Sequence, residues 1–302
     1  MIHNSIIPGD GRVTWTQTTL PVSASWQSVC YGAGKFVAVG DSSIAAYSAD
    51  GINWTKITLP VSANWQSVCY GAGKFVAVAY GSSIVAYSTD GINWTQTTMP
   101  SNSFCPSVCY GAGKFVAVAW DSSIVAYSTD GINWTQTTMP SNSFWPSVCY
   151  GAGKFVAVAN GSSIVSYSTD GINWTQTTLP SEPDSPSVCY GAGKFVMVAY
   201  GSSIAAYSAD GINWTKITLP VSASWQSVCY GAGKFVMVAY GSNIVAYSAD
   251  GINWTQTTLP SNSFWPSVCY GAGKFVAVAN GSDATYSSNT AACLEPTYKE
   301  LV

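Results

Sequence analysis

The chain has 302 residues, a formal net charge of −3, and only 8% charged residues, against about 25% in an average soluble protein. Arg12 is its single arginine, so the basic stripe that nucleic-acid binding requires is missing. An apolar run of about 18 residues, which a helical membrane span needs, is also missing. The opening MIHNSIIPGDG has no charged segment leading into an apolar one, so no signal peptide is expected.

Residues 1–9 read as a short leader ahead of a repeat array. Asp10 to Pro21, DGRVTWTQTTLP, matches the second half of a unit that recurs through the chain. The unit's marker, Tyr-Gly-Ala-Gly-Lys-Phe-Val, begins at Tyr31, Tyr70, Tyr110, Tyr150, Tyr190, Tyr230 and Tyr270, the first step being 39 residues and the other five 40. A fixed period of this size means an array of like supersecondary units. Within one unit four strands are predicted, at Trp65–Tyr70, Lys74–Ala79, Ser83–Ser88 and Ile92–Thr98. These runs are rich in Val, Ile, Thr and aromatics, and Gly, Asp, Asn, Ser and Pro separate them. Four short strands per unit of this length mark a propeller blade.

The final repeat ends at Asn280–Ser288, NGSDATYSS, without its DGINWT segment, and the N-terminal DGRVTWT supplies one. The expected fold is therefore an all-β, seven-bladed propeller over residues 10–288, with four antiparallel strands per blade. The N-terminal strand would complete the last blade, and residues 289–302 form a tail outside the repeat.

Seven of the nine cysteines occupy one repeated position: Cys30, Cys69, Cys109, Cys149, Cys189, Cys229 and Cys269. They are expected to be a ring of small buried thiols rather than disulfides or ligands. Cys105 and Cys293 have no counterpart. With one histidine, His3, and no CxxC, neither a metal nor a cofactor is expected. Free thiols suit synthesis in the reducing cytoplasm.

The segment from Ser88 to Trp94, Ser-Thr-Asp-Gly-Ile-Asn-Trp, links the third and fourth strands. It resembles the Asp-box, or BNR-type, repeat, Ser-x-Asp-x-Gly-x-x-Trp, with one residue fewer between Asp and Gly. The resemblance implies that Asp50, Asp90, Asp130, Asp170, Asp210 and Asp250 fix hairpin turns, with the following Trp packed beneath. More broadly, the YGxGKFVAV…DGxxW array is similar to propeller repeats of bacterial and phage surface or tail proteins. Asp-box propellers include sialidases, but one arginine cannot supply the sialidase arginine triad. Other glycosidases need two nearby carboxylates, and only Glu182 and Asp184 lie close in sequence. The chain is therefore expected not to be an enzyme.

The Gly-Ala-Gly and Asp-Gly-Ile-Asn turns hardly vary, and both should lie on one face. Variation gathers in the other two connections, expected on the opposite face. The second-to-third loop begins at Gly40-Asp41, Tyr80, Trp120, Asn160, Tyr200, Tyr240 and Asn280. The blade-to-blade loop reads VSASW, VSANW, SNSFC, SNSFW, SEPDS, VSASW and SNSFW. Candidate ligand contacts are Tyr80, Trp120, Asn160, Tyr200, Tyr240, Asn280, Asp41, Glu182 and Asp184. Trp26, Trp65, Trp145, Trp225 and Trp265 either join this rim or pack between blades. Rigid rings beside small polar groups suit recognition. The expected role is multivalent binding of carbohydrate or a cell-surface protein, with a protein-interaction or structural scaffold as the alternative and a glycoside hydrolase as the less favoured third.

Overall fold

The computed structural model describes residues 12–289. The leader, the degenerate turn at Asp10, Cys293 and nearly all of the tail lie outside the described residues.

The described regular structure is entirely β. The second strand of each repeat is buried on both faces. Lys74–Tyr80, KFVAVAY, has five consecutive buried residues, which is why it reads as unbroken Val, Ala and Phe rather than an alternating pattern. The outermost strands are different. In Thr135–Ser143, TQTTMPSNS, only Met139 is buried, so Thr and Gln serve the solvent side while their β-branched partners hold the extended form.

The expectation of seven blades, each a separate sheet of four short strands, is corrected. There are 25 continuous strands, enough for six separate four-stranded sets with one strand over. They form four sheets of four strands and one of nine. In the large sheet, Lys35–Ser48, Thr55–Gly71 and Thr95–Gly111 each run through a place where two strands were expected. Thr55–Gly71 leaves one repeat as its outer strand and enters the next as its inner strand. Asn64 makes the crossing, since it pairs with Asp41 on one side and Tyr80 on the other. The chain stays extended there, so consecutive repeats share one hydrogen-bonded sheet. At residues 144–146 the corresponding path is broken, whereas the equivalent Pro106 lies within the unbroken Thr95–Gly111. The outer strands also begin later than expected, at Thr95 and its equivalents rather than Ile92, because Ile92 and Asn93 are held in the preceding turn.

The two ends of the chain meet in one sheet. Val13–Ala24 pairs antiparallel with Gly281–Asn289, placing Trp15 opposite Ser287 and Thr16 opposite Tyr286. Thr285 Oγ1 donates to the Thr16 carbonyl at 2.9 Å. Asp283 accepts from Gln17 and Ser261 at 3.4 and 3.1 Å.

Inside the ring two contacts recur from each repeat to the next. Tyr70 lies over Gly32, Tyr110 over Gly71, and so on until Tyr31 lies over Gly271 and the circle closes. A Cβ at any of these glycines would fall inside the facing ring, which is why the position is glycine. Beside each stack, a valine amide donates to a serine hydroxyl of the preceding repeat. Val68 N–H bonds Ser28 Oγ at 3.2 Å, and Val29 N–H bonds Ser267 Oγ at 3.1 Å to complete the series. Between adjacent repeats lie apolar clusters such as Val37, Val39, Trp65, Val68 and Phe75. The cluster of Leu20, Trp26, Phe36, Val276 and Val278 joins first and last repeats in the same way. Farther out, threonines reach the next unit, as Thr97 Oγ1 does to the Ile132 carbonyl at 2.8 Å.

The inner hairpins turn at Ala72-Gly73 and equivalents, with φ of +46° and +74°, the two positive values that a type I′ turn requires.

Gly71→Ala should destabilise the protein by about 1–3 kcal/mol, the usual cost of an overpacked contact. Thermal unfolding of the variant checks this. A melting temperature equal to that of the parent would contradict the tyrosine-on-glycine packing.

Candidate functional site

The two faces of the ring differ in chemistry. One carries the invariant turns. Asp90 Oδ1 accepts from the amides of Ile92 and Asn93 at 2.8 Å each, and Oδ2 accepts from the Asn93 side chain at 2.8 Å. Ser88 Oγ donates to the same carboxylate at 2.9 Å and itself accepts the Gly91 amide at 2.8 Å. Hydrogen bonds from the Asn93 amide, the Asn93 side chain and the Ile92 amide, in that order, hold the Asp90 carboxyl well below the usual carboxylate range. Asp50, Asp130, Asp170, Asp210 and Asp250 repeat the arrangement. The following Trp packs under the turn, with Phe75 and Trp94 ring centroids 6.4 Å apart. These aspartates therefore brace hairpins. Seven lysines, one at the start of each second strand (Lys74 and its equivalents), stand on this same face.

The opposite face carries the variable loops and Asp41, Asp121, Glu182, Asp184 and Asp283. Among the described residues, no lysine or arginine lies in those loops. The loops are brought together by one recurring contact. The residue after the second strand meets the residue that precedes the Trp position. Asp41 N–H donates to Ser25 O, Asn160 to Phe144 O, Tyr200 to Asp184 O, Tyr240 to Ser224 O and Asn280 to Phe264 O, at 2.8–3.0 Å. Tyr80 pairs with Asn64 and Trp120 with Phe104 in the same register. Seven paired rim positions result.

Across the rim, Trp120 and Phe144 rings lie 5.2 Å apart, and Tyr240 and Phe264 rings 4.8 Å apart. Phe264 is 50% exposed, the most open large apolar side chain among the described residues. At the axis the rim encloses a recess of about 390 Å³. Its wall includes Gln27, Gln66 and Gln226 on some repeats and Pro106, Pro146, Pro186 and Pro266 on the others. Gln66 Nε2 donates to Gln27 Oε1 at 3.0 Å. The serines of the inner circle floor the recess. Each hydroxyl that accepts a valine amide keeps its own proton to donate.

Of the sequence candidates, Tyr80 and Trp120 line this recess. Tyr200, Glu182 and Asp184 line a separate cavity of about 160 Å³. Tyr240 stacks on Phe264 away from both. Asn160 is engaged structurally, its Oδ1 accepting the Ser185 amide at 2.6 Å. Asp41 and Asn280 sit at rim positions outside both hollows. Trp26, Trp65, Trp145, Trp225 and Trp265 are fully buried between repeats and contribute nothing to the rim surface. Sequence reasoning missed Phe144, Phe264 and the glutamines. The loop spellings contain Phe144 and Phe264, but the glutamines converge only when seven distant segments are closed into a circle.

The repeated cysteines are only half-buried, not fully buried as expected. Their sulfurs are nonetheless desolvated. Burial first, then neighbouring Cys269 and Cys69, pushes the Cys30 thiol up. Cys105 is explained by its place. It stands where five other repeats have Trp, is buried against Met99 with the sulfurs 3.6 Å apart, and burial pushes its thiol up to about 12. Among the described residues, no group of three or more His, Cys, Asp or Glu is placed to hold a metal ion, and no helix is long and apolar enough to cross a membrane.

No family model and no curated protein matches the sequence, so the Asp-box likeness remains one of turn chemistry. The architecture is a β-propeller similar to solved structures. A catalytically inactive virginiamycin B lyase from Staphylococcus aureus, with quinupristin, superposes with a TM-score of 0.83 at 12% identity, covering 92% of this chain and 99% of that one. YCF48 bound to D1 peptide gives 0.72 at 17% identity, covering 90% and 94%. The Cps50 (Swd1) β-propeller domain of Myceliophteria thermophila gives 0.68 at 12%, covering 92% and 100%. Identities this low establish the fold alone. They also correct the expectation that the chain is not an enzyme, because a propeller of this shape is a lyase. The missing arginines and spaced acids argued only against glycoside hydrolysis, which is one chemistry among many.

Asp90→Ala removes four hydrogen bonds to the carboxylate and should cost about 1–2 kcal/mol, measured by denaturant unfolding. The folded aspartates titrate below the unfolded value of about 3.9. Their contribution is thus complete above about pH 4 and is lost as pH falls towards the folded value. The melting temperature should drop over that acid range, and a flat profile there would contradict the turn geometry. The eight described thiols should react slowly with a disulfide reagent at pH 8 in the native protein and quickly after unfolding. Rapid native labelling at these positions would contradict their desolvation.

Proposed function

We propose that the chain is a recognition module whose ligand, a polypeptide segment, enters the axial recess on the face of the variable loops. The observation that carries this is the two-sided wall of the recess. Tyr80, Trp120 and the prolines offer flat apolar surface, while Gln27, Gln66, Gln226 and the serine hydroxyls can satisfy a backbone. The rim is acidic and has no base in its described loops, so a segment bearing Lys or Arg is favoured over an acidic one. The similar propeller of YCF48, bound to D1 peptide, supports a peptide as the class of ligand.

A second reading keeps carbohydrate as ligand. The exposed ring pairs Trp120–Phe144 and Tyr240–Phe264 recur around the rim, and repeated weak stacking on sugars would gain by avidity, as suits a bacterial or phage surface component.

Selection of peptides from a random display library on the immobilised chain tests the first reading. Enriched peptides should carry basic residues, and Trp120→Ala and Gln66→Ala should each weaken the best of them about tenfold. Undiminished binding to both variants would remove the recess as the site. A glycan-array signal lost on Trp120→Ala, with no peptide enriched, would move the occupant to sugar.

A further inference from the structure

The position just before each inner strand is Trp in five repeats, at Trp26, Trp65, Trp145, Trp225 and Trp265, and all five are fully buried. Trp65 shows the setting of the indole. It packs in a cluster with Leu59, Ala77, Ala79 and Ile84, and its N–H donates to the Val61 carbonyl at 3.3 Å. Trp225 packs in the same apolar setting although Met237 replaces the first alanine, but its N–H, like those of Trp145 and Trp265, is buried without a partner, and of the five only Trp26 and Trp65 make the carbonyl bond. Cys105 keeps the position buried and apolar. The remaining repeat has Ser185.

Ser185 takes a different path. Its φ is +39° and it borders the axial recess. The cluster of Leu179, Met197 and Ala199 is left without a side chain from this position. There a cavity of about 160 Å³ opens, lined by Ser181, Met197, Ala199 and Ile204, with the buried Pro183 of the same loop on its wall. These residues stand where Val61, Ala77, Ala79 and Ile84 stand around Trp65, each 120 positions earlier. Tyr200, 40% exposed, and the exposed Glu182 and Asp184 border the opening.

We propose that this cavity is a binding site for one aromatic ring of indole size that carries a positive charge. The chain itself supplies the template, since it fills the equivalent space with its own indole five times. An apolar cavity of about 150 Å³ is large enough to take a benzene ring. Ser181 holds the place of Val61, whose carbonyl accepts the Trp65 N–H, and Met197 is no obstacle, as Met237 beside Trp225 demonstrates. The Tyr200 ring provides an aromatic wall. The two carboxylates at the mouth select a cationic tail over an anionic one. The same chemistry is borne by a free aromatic amine or by a Trp beside Lys or Arg in a polypeptide. The site is distinct from the axial recess, and either can fail without the other.

The test is titration of the full chain with tryptamine, indole, indole-3-acetate and the tripeptide Lys-Trp-Lys, read by thermal shift and calorimetry. Tryptamine should raise the melting temperature and bind up to about fivefold tighter than indole-3-acetate, the range of an exposed charge contact. Ala199→Leu, which fills the floor, should weaken tryptamine about tenfold. Because that variant could misfold, a crystal of the parent chain soaked with a bromotryptamine gives an independent readout, with bromine density expected between Met197 and Tyr200. Binding of the tripeptide without the free amine would assign the pocket to a partner's side chain and retain it. No stabilisation by any of the four compounds, or bromine density elsewhere, overturns the proposal.

Discussion

A tyrosine ring laid on the glycine of the preceding repeat, beside a valine amide bonded to a serine hydroxyl, is the contact on which the remaining architecture depends. It recurs from Tyr70 on Gly32 through to Tyr31 on Gly271, with Val29 bonded to Ser267 at the seam. Only a closed circle lets every repeat both give and receive this contact. Closure then buries both faces of each second strand, which explains why Phe, Val and Ala fill Lys74–Tyr80 without a polar gap and why so little charge is needed within the ring. The N-terminal strand and Asp283 hold the outer seam, but they join a circle already specified at the axis.

Near-identical repeats make a scaffold with nearly equivalent positions all round, so specificity resides where the copies disagree. The turn face does not disagree. Its aspartates spend both carboxylate oxygens on hairpin amides and on asparagine and serine side chains. The other face has glutamine at three repeats and proline at four around its recess, gathers aromatics in two ring pairs, and has acids but no bases in its described loops. A lost side chain is as informative as a gained one. Cys105 and Ser185 both replace a buried Trp, yet the first stays packed and the second opens a cavity.

Much of this was legible in the chain itself. The repeat period located the inner hairpins, and Ser88, Asp90 and Gly91 announced their turn, since short polar side chains and glycine have few other reasons to recur at that spacing. The pairing of Trp15's strand with the last repeat followed from the missing DGINWT segment. Continuity of strands was not legible. Whether Asn64 pairs with one neighbour or two depends on where closure places the next repeat, so seven separate sheets were expected where strands run on between repeats. Trp65 read equally well as rim or core because its loop setting conceals that it turns inward. Gln66 and Pro106 are unremarkable until closure sets them on one wall. The exclusion of catalysis failed because it rested on a single reaction class.

The claim that the inner circle is continuous through the seam is tested most directly by amide hydrogen exchange followed by NMR. The account predicts that the Val29 amide, bonded to Ser267 across the two ends of the chain, exchanges within about tenfold of the Val68 amide, bonded to Ser28 between consecutive repeats, both drawing on the most stable part of the structure. Loop-like exchange at Val29 with strong protection at Val68 would contradict it, since the ring would then open at its seam.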